Sequence, residues 1–221
     1  MRIAALLAGL CLALPLPRMA QAHPHEFVDI AVSLRFDEQG HLGSVGVGWT
    51  WDDLTSMLML EDFGLDPDGD GQLTEDERGQ LIARFSDWPE DFAGDLYLTQ
   101  QGRPVPLGGP QAMQADLRDG RLFVGFARDL PQPLDPGAGP LALQAYDPGY
   151  YVAYDLAGAP EILGRDDCTL DIRKADVAAA QKLYGQLLAQ LTEAEVLDQG
   201  KFPEVGGAFA DEVRVTCAAR P

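Results

Sequence analysis

The sequence predicts an α+β protein that is mainly β: an antiparallel, sandwich-like sheet with a helix–loop–helix insertion over residues 53–86 and a C-terminal helix. Three observations predict it. Apolar and polar residues alternate strictly from Val28 to Phe36, short apolar segments recur between Gly, Pro and Asp turns, and one acidic twelve-residue loop lies between two helical stretches.

The chain opens with Arg2, an apolar run from Ile3 to Leu16 and the small-x-small triplet Ala20-Gln21-Ala22. These are the parts of a secretory signal peptide over residues 1–22, with a single periplasmic domain over 23–221. The run is too short to span a bilayer, and Leu10 before Cys11 is too bulky for a lipid-attachment site, so no membrane insertion is expected after cleavage. Val28, Ile30, Val32, Leu34 and Phe36 then form one face of a strand. Gln39-Gly40 turns the chain, and Val45, Val47, Trp49 and Trp51 form a second strand that completes a hairpin. A helix is expected from about Asp53 to Phe63 and another, after the acidic loop, up to about Phe85. Strand patterning resumes at Asp95–Gln100, Val105–Leu107, Ala112–Leu117, Arg121–Ala127, Leu141–Tyr146 and Tyr150–Leu156, with Pro131–Pro140 as a surface loop. Ala175–Leu191 is an amphipathic helix and Val213–Cys217 a closing strand.

The acidic loop runs Asp66-Pro-Asp-Gly-Asp-Gly-Gln-Leu-Thr-Glu-Asp-Glu77. Carboxylates at positions one, three and five (Asp66, Asp68, Asp70), glycine at six (Gly71) and glutamate at twelve (Glu77) make the EF-hand calcium pattern. Calcium takes six to eight hard oxygens, so three short side chains converge on it while Glu77 closes the site with both oxygens. Gln72 supplies its backbone carbonyl, Leu73 points into the core, and Thr74 reaches the ion directly or through water. Thr74 and Glu77 also have capping-box spacing for the following helix. A solvated acidic turn without metal is the plain alternative.

Sixteen Lys and Arg face thirty-five Asp and Glu, for a formal charge of −19. Loss of residues 1–22 removes Arg2 and Arg18 and makes the remainder more acidic still. Nucleic acid and anionic membrane surfaces are therefore poor partners and cations plausible ones, with an acidic surface that only keeps an exported protein soluble as the plain alternative. Cys168 and Cys217 remain once Cys11 leaves with the leader, and an even count in an exported chain reads as one disulfide, worth roughly 3–4 kcal/mol for a loop of about 50 residues. A thiolate metal pair is the other reading. No nucleophile elbow, phosphate-cradling glycine loop or His-Glu-x-x-His helix is present, so the protein is not expected to be an enzyme.

A mature start at His23 offers a free α-amine and an imidazole, and His25 adds a second imidazole two residues on, nitrogen donors suited to zinc, nickel or copper. Pro24 has no amide N–H, which excludes the square-planar amino-terminal motif built on backbone amides. His25, Phe27 and Asp29 share the exposed face of the strand, so Asp29 or Glu26 could add a carboxylate. A flexible, solvated terminus is the plain alternative. A copper-binding histidine brace is a further one, with His41 as the remaining histidine.

The His23-Pro24-His25-Glu26-Phe27-Val28-Asp29 start, the Trp49/Trp51 strand, the acidic loop and Tyr146-Asp147-Pro148-Gly149-Tyr150-Tyr151 together resemble a bacterial exported family of unknown function. That family is labelled the periplasmic component of an uncharacterised ABC-type transport system and includes ZevA-like proteins. The resemblance implies an accessory to zinc or nickel/cobalt uptake that works beside a membrane metal permease. A calcium-stabilised protein-interaction module without transition metal is the competing expectation.

Overall fold

The computed structural model describes residues 24–192, 195–196 and 202–219. The expected leader and His23 lie outside the described residues. Strict alternation carries β1 (Glu26–Phe36) with all five expected apolar side chains buried, and β2 (Leu42–Trp51) buries Val45, Val47, Trp49 and Trp51 against it. The two pair antiparallel from Val28↔Trp51 to Phe36↔Leu42. Helices α1 (Asp53–Phe63) and α2 (Glu75–Ser86) follow, joined by the acidic loop.

The remaining strands are β3 (Leu96–Gln100), β4 (Arg103–Val105), β5 (Gln111–Arg118), β6 (Arg121–Leu134), β7 (Leu141–Ala145), β8 (Val152–Leu156), β9 (Glu161–Leu163), β10 (Cys168–Arg173) and β11 (Glu212–Cys217). One sheet has the order β5-β6-β2-β1-β8, with β9 also on β1, and the other β10-β11-β7-β3-β4. Inward residues of both sheets enter one buried cluster, among them Ile30, Leu34 and Val124 from the first and Leu98, Leu143 and Val213 from the second. Helix α3 (Val177–Leu188) buries Ala180 and Tyr184, and a short helix, Gly206–Phe209, precedes β11. Among the described residues no helix is long and apolar enough to cross a membrane.

The structure differs from the expected fold in four places. The first sheet is mixed, because β8 and β9 both join β1 in parallel. The Pro131–Pro140 segment is not loop throughout: β6 continues to Leu134, and a 3-10 turn covers Pro136–Ala138. The prolines are tolerated because the β2–β6 register shifts between Ser44↔Asp129 and Leu42↔Leu134, which leaves exposed Pro131 and Pro133 outside the paired positions. β4 ends at Val105 instead of spanning Val105–Leu107, since the Leu107 and Gly108 carbonyls accept hydrogen bonds from the buried Arg128 guanidinium. Strands β9 and β10 arise where no strand was expected. β10 pairs with β11 in a register that sets Cys168 opposite Cys217, and the two form the expected disulfide.

Candidate metal loop and the amino-terminal crossing

The loop is shaped from both ends. Gly64, in the left-handed conformation, stops α1, with its N–H donating to the carbonyls of Glu61 and Leu60. Leu65 and Leu73 are buried and anchor the loop on either side of its exposed acidic turn. Asp66 has φ +50° and Gly71 φ +78°; at position six the requirement is conformational, because a Cβ there would meet nothing within 4 Å. The Asp66 carboxylate accepts from the N–H groups of Asp70 (3.0 Å) and Gly71 (3.2 Å), and Asp70 accepts from Gln72 N–H at 2.8 Å.

These bonds bring Asp66, Asp68 and Asp70 together: one oxygen from each lies within 4.8 Å of the others. Glu77 is buried under the loop. Its Oε1 accepts from Asp66 N–H (2.9 Å), and its Oε2 accepts from both the N–H and the hydroxyl of Thr74 (each 2.7 Å). The Thr74 hydroxyl accepts from Glu77 N–H in return, completing the expected capping box. Donation from the Thr74 side chain, then from its backbone, holds the Glu77 carboxyl below its usual range, so it is a carboxylate at neutral pH. Thr74 thus spends its hydroxyl on the helix cap, and Gln72 is exposed with its carbonyl in the loop.

The other candidate residues meet elsewhere. His25 is exposed at the entry to β1, with its ring 4.8 Å from that of Tyr151 and its N–H on the Tyr151 carbonyl at 2.8 Å. His25 and the Tyr-Asp-Pro turn, far apart in sequence, therefore touch. Asp147 shapes that turn by accepting from the N–H groups of Gly149, Tyr151 and Val152. Tyr150 stacks on Phe209 at 3.7 Å and Tyr146 on Tyr97 at 4.0 Å, so these tyrosines serve packing. Asp29 shares the outward face with His25, as expected, but its carboxylate is bound by Arg121 at 2.8 Å. His25 and Asp29 are not brought together as a pair.

Three further acids stand out in the structure: Glu26, which the sequence offered as a possible carboxylate donor, and Asp52 and Asp95, which it did not single out. Glu26 is half-buried, and burial, with Asp52 and Asp147 nearby, lifts its carboxyl above the usual range against a hydrogen bond from Trp51. Asp52 caps α1 by accepting from Leu54 N–H (2.9 Å) and Thr55 N–H (3.0 Å) and also holds Phe27 N–H; the Asp-Asp-Leu-Thr string at a helix start was the available signal. Asp95 is buried beside Tyr154, whose hydroxyl donates to it at 2.8 Å, and burial pushes its carboxyl up to about 6. Nothing in the local pattern marks Asp95, because Tyr154 reaches it from another sheet.

A comparison with curated proteins finds no match. A family match covers residues 6–217. With nearly the whole chain matched, the protein belongs to the family described as "Protein of unknown function (DUF1007)".

Proposed function

We propose that residues 66–77 form an EF-hand-type calcium site that braces the α1–α2 pair in an exported protein. The observation that carries this reading is the approach of the Asp66, Asp68 and Asp70 oxygens to within 4.8 Å of one another. Oxygens arranged about one calcium ion at roughly 2.3–2.6 Å lie no more than about 5 Å apart, so the spacing suits the ion. The left-handed Gly71 supplies the sharp turn, and Glu77 lies next to the loop as a carboxylate that must exchange its bonds from Asp66 N–H and Thr74 to close on the ion.

A lone loop of this type should bind at about 10⁻⁴ to 10⁻³ M, as a structural site. About 10 mM calcium should then stabilise the protein by roughly 1.4–2.7 kcal/mol and raise Tm by several degrees. Asp68→Asn is the clean ligand variant, because Asp68 takes no part in the loop's internal hydrogen bonds recorded above. It should abolish the calcium-dependent rise and leave the metal-free Tm unchanged. A melting curve indifferent to calcium would reduce the loop to an acidic turn.

A second reading adds a transition-metal role. The exposed position of His25 at the amino-terminal crossing, two residues after residue 23, favours nitrogen ligation of zinc or nickel/cobalt there and delivery to a membrane metal permease. His25→Ala should lose that metal in equilibrium dialysis of protein with a native His23 terminus, while keeping its calcium response. Unchanged zinc and nickel binding would leave the calcium-braced interaction module as the better description.

A further inference from the structure

Helix α1 presents large apolar side chains to solvent while burying polar ones. Thr55 and Ser56 are buried on the inward side, where Ser56 Oγ accepts from Leu122 N–H (3.0 Å) and donates to the Trp51 carbonyl (3.3 Å). Met59, Leu60 and Phe63 complete that side by packing against the core. Leu54, Met57 and Leu58 face outward and are 61 %, 56 % and 49 % exposed. Their i, i+3, i+4 spacing makes them a continuous stripe, which Glu61 extends at i+7. A helix that is apolar on both sides is normally covered on both. Here the inward side is fastened by its own hydrogen bonds, and the outward stripe is left over.

The border of the stripe says what covers it. Asp53, Glu61 and Asp62 are exposed along its edges and end, and the helix sequence Asp53–Phe63 has no Lys or Arg. Arg121 comes within 4.0 Å of Asp53, but it is bound to Asp29 at 2.8 Å and to the carbonyls of Trp51 and Thr50. A second copy of this chain, formally −19, would set acid against acid, and an anionic lipid surface would do the same. The complement is apolar with basic flanks.

We propose that the outward face of α1 docks a basic amphipathic helix of a partner polypeptide, whose apolar side chains cover Leu54, Met57 and Leu58 and whose Lys or Arg side chains meet Asp53, Glu61 and Asp62. The unbranched, polarizable Met57 suits such a surface, since it re-packs around different apolar anchors. The proposal does not depend on the metal readings.

The test is fluorescence anisotropy at about 0.15 M salt, which suppresses purely coulombic attachment. The probe is a labelled peptide of about 14 residues, made of Leu and Lys at helical spacing, and the control replaces every Lys with Glu. The Leu/Lys peptide should bind and the Leu/Glu peptide should not. Leu54→Gln/Met57→Gln/Leu58→Gln, which keeps helix-forming residues at exposed positions, should weaken binding at least about tenfold with an unchanged circular dichroism spectrum. Glu61→Lys/Asp62→Lys should weaken it similarly. The proposal is overturned if the Leu/Lys peptide fails to bind, if the triple variant binds it as tightly as the parent, or if both peptides bind equally. It is also overturned if the stripe instead mediates dimerisation in sedimentation or attachment to neutral phosphatidylcholine vesicles, both lost in the triple variant.

Discussion

Asp95 is a carboxyl whose ionisation the fold opposes. Burial raises its carboxyl from an ordinary 3.8 to about 6, despite the hydrogen bond from Tyr154. The folded state therefore binds a proton more tightly than the unfolded chain. The stability linked to that proton is fully present below about 3.8 and is lost as pH rises through about 6. Asp95→Asn keeps an acceptor for the Tyr154 hydroxyl and cannot ionise. Urea denaturation at neutral pH should show it more stable than the parent by on the order of 2–3 kcal/mol, with the advantage vanishing below pH about 4. An unaltered slope of stability between those limits would contradict the assignment. Glu77 has the opposite sign: its depressed carboxyl favours folding above its ordinary 4.5, and that contribution is lost as acid protonates it.

Among the elements, α2 rests on its capping box. Thr74→Ala removes the hydroxyl that accepts Glu77 N–H and donates to Glu77 Oε2, and should cost about 1 kcal/mol in thermal or urea unfolding. The cost should be the same in chelator, because it belongs to the helix start. Elements of this kind were legible: β1 and β2 carry their own alternation, α1 its Asp52 and Gly64 end signals, α2 its capping box, and the loop carboxylates meet because their spacing is local. What sequence could not supply was partnership at a distance. The parallel attachment of β8 and β9 to β1, the strand at Cys168–Arg173 and the Tyr154–Asp95 contact depend on which surfaces meet after the chain has turned many times. The binding of Asp29 by Arg121 was invisible for the same reason, since the two share the sheet's outer face only through β6. The inversion of α1 was hidden because its apolar residues lie on both sides, so composition alone does not say which side is covered.

For the whole molecule, the disulfide fastens the edge of the second sheet. Cys168 and Cys217 sit opposite one another where β10 meets β11, 49 residues apart in sequence, and Arg165 nearby ties the same corner to the Gly40 and Ala218 carbonyls and to Asp167. Replacing both cysteines with serine should lower stability by roughly 3–4 kcal/mol, read as an earlier midpoint in urea. An unshifted midpoint would mean that the Arg165 network and strand pairing hold the corner by themselves. The order of strands also bears on how the protein is made. β1 leaves the ribosome first, yet Glu26 pairs with Val152 and Ser33 with Glu161. At ~5–20 residues per second, the nascent strand waits on the order of ten seconds for its parallel neighbours to be synthesised. Through that interval one edge of β1 is open to any passing chain, and a fragment ending before residue 152 never acquires the neighbours that close it.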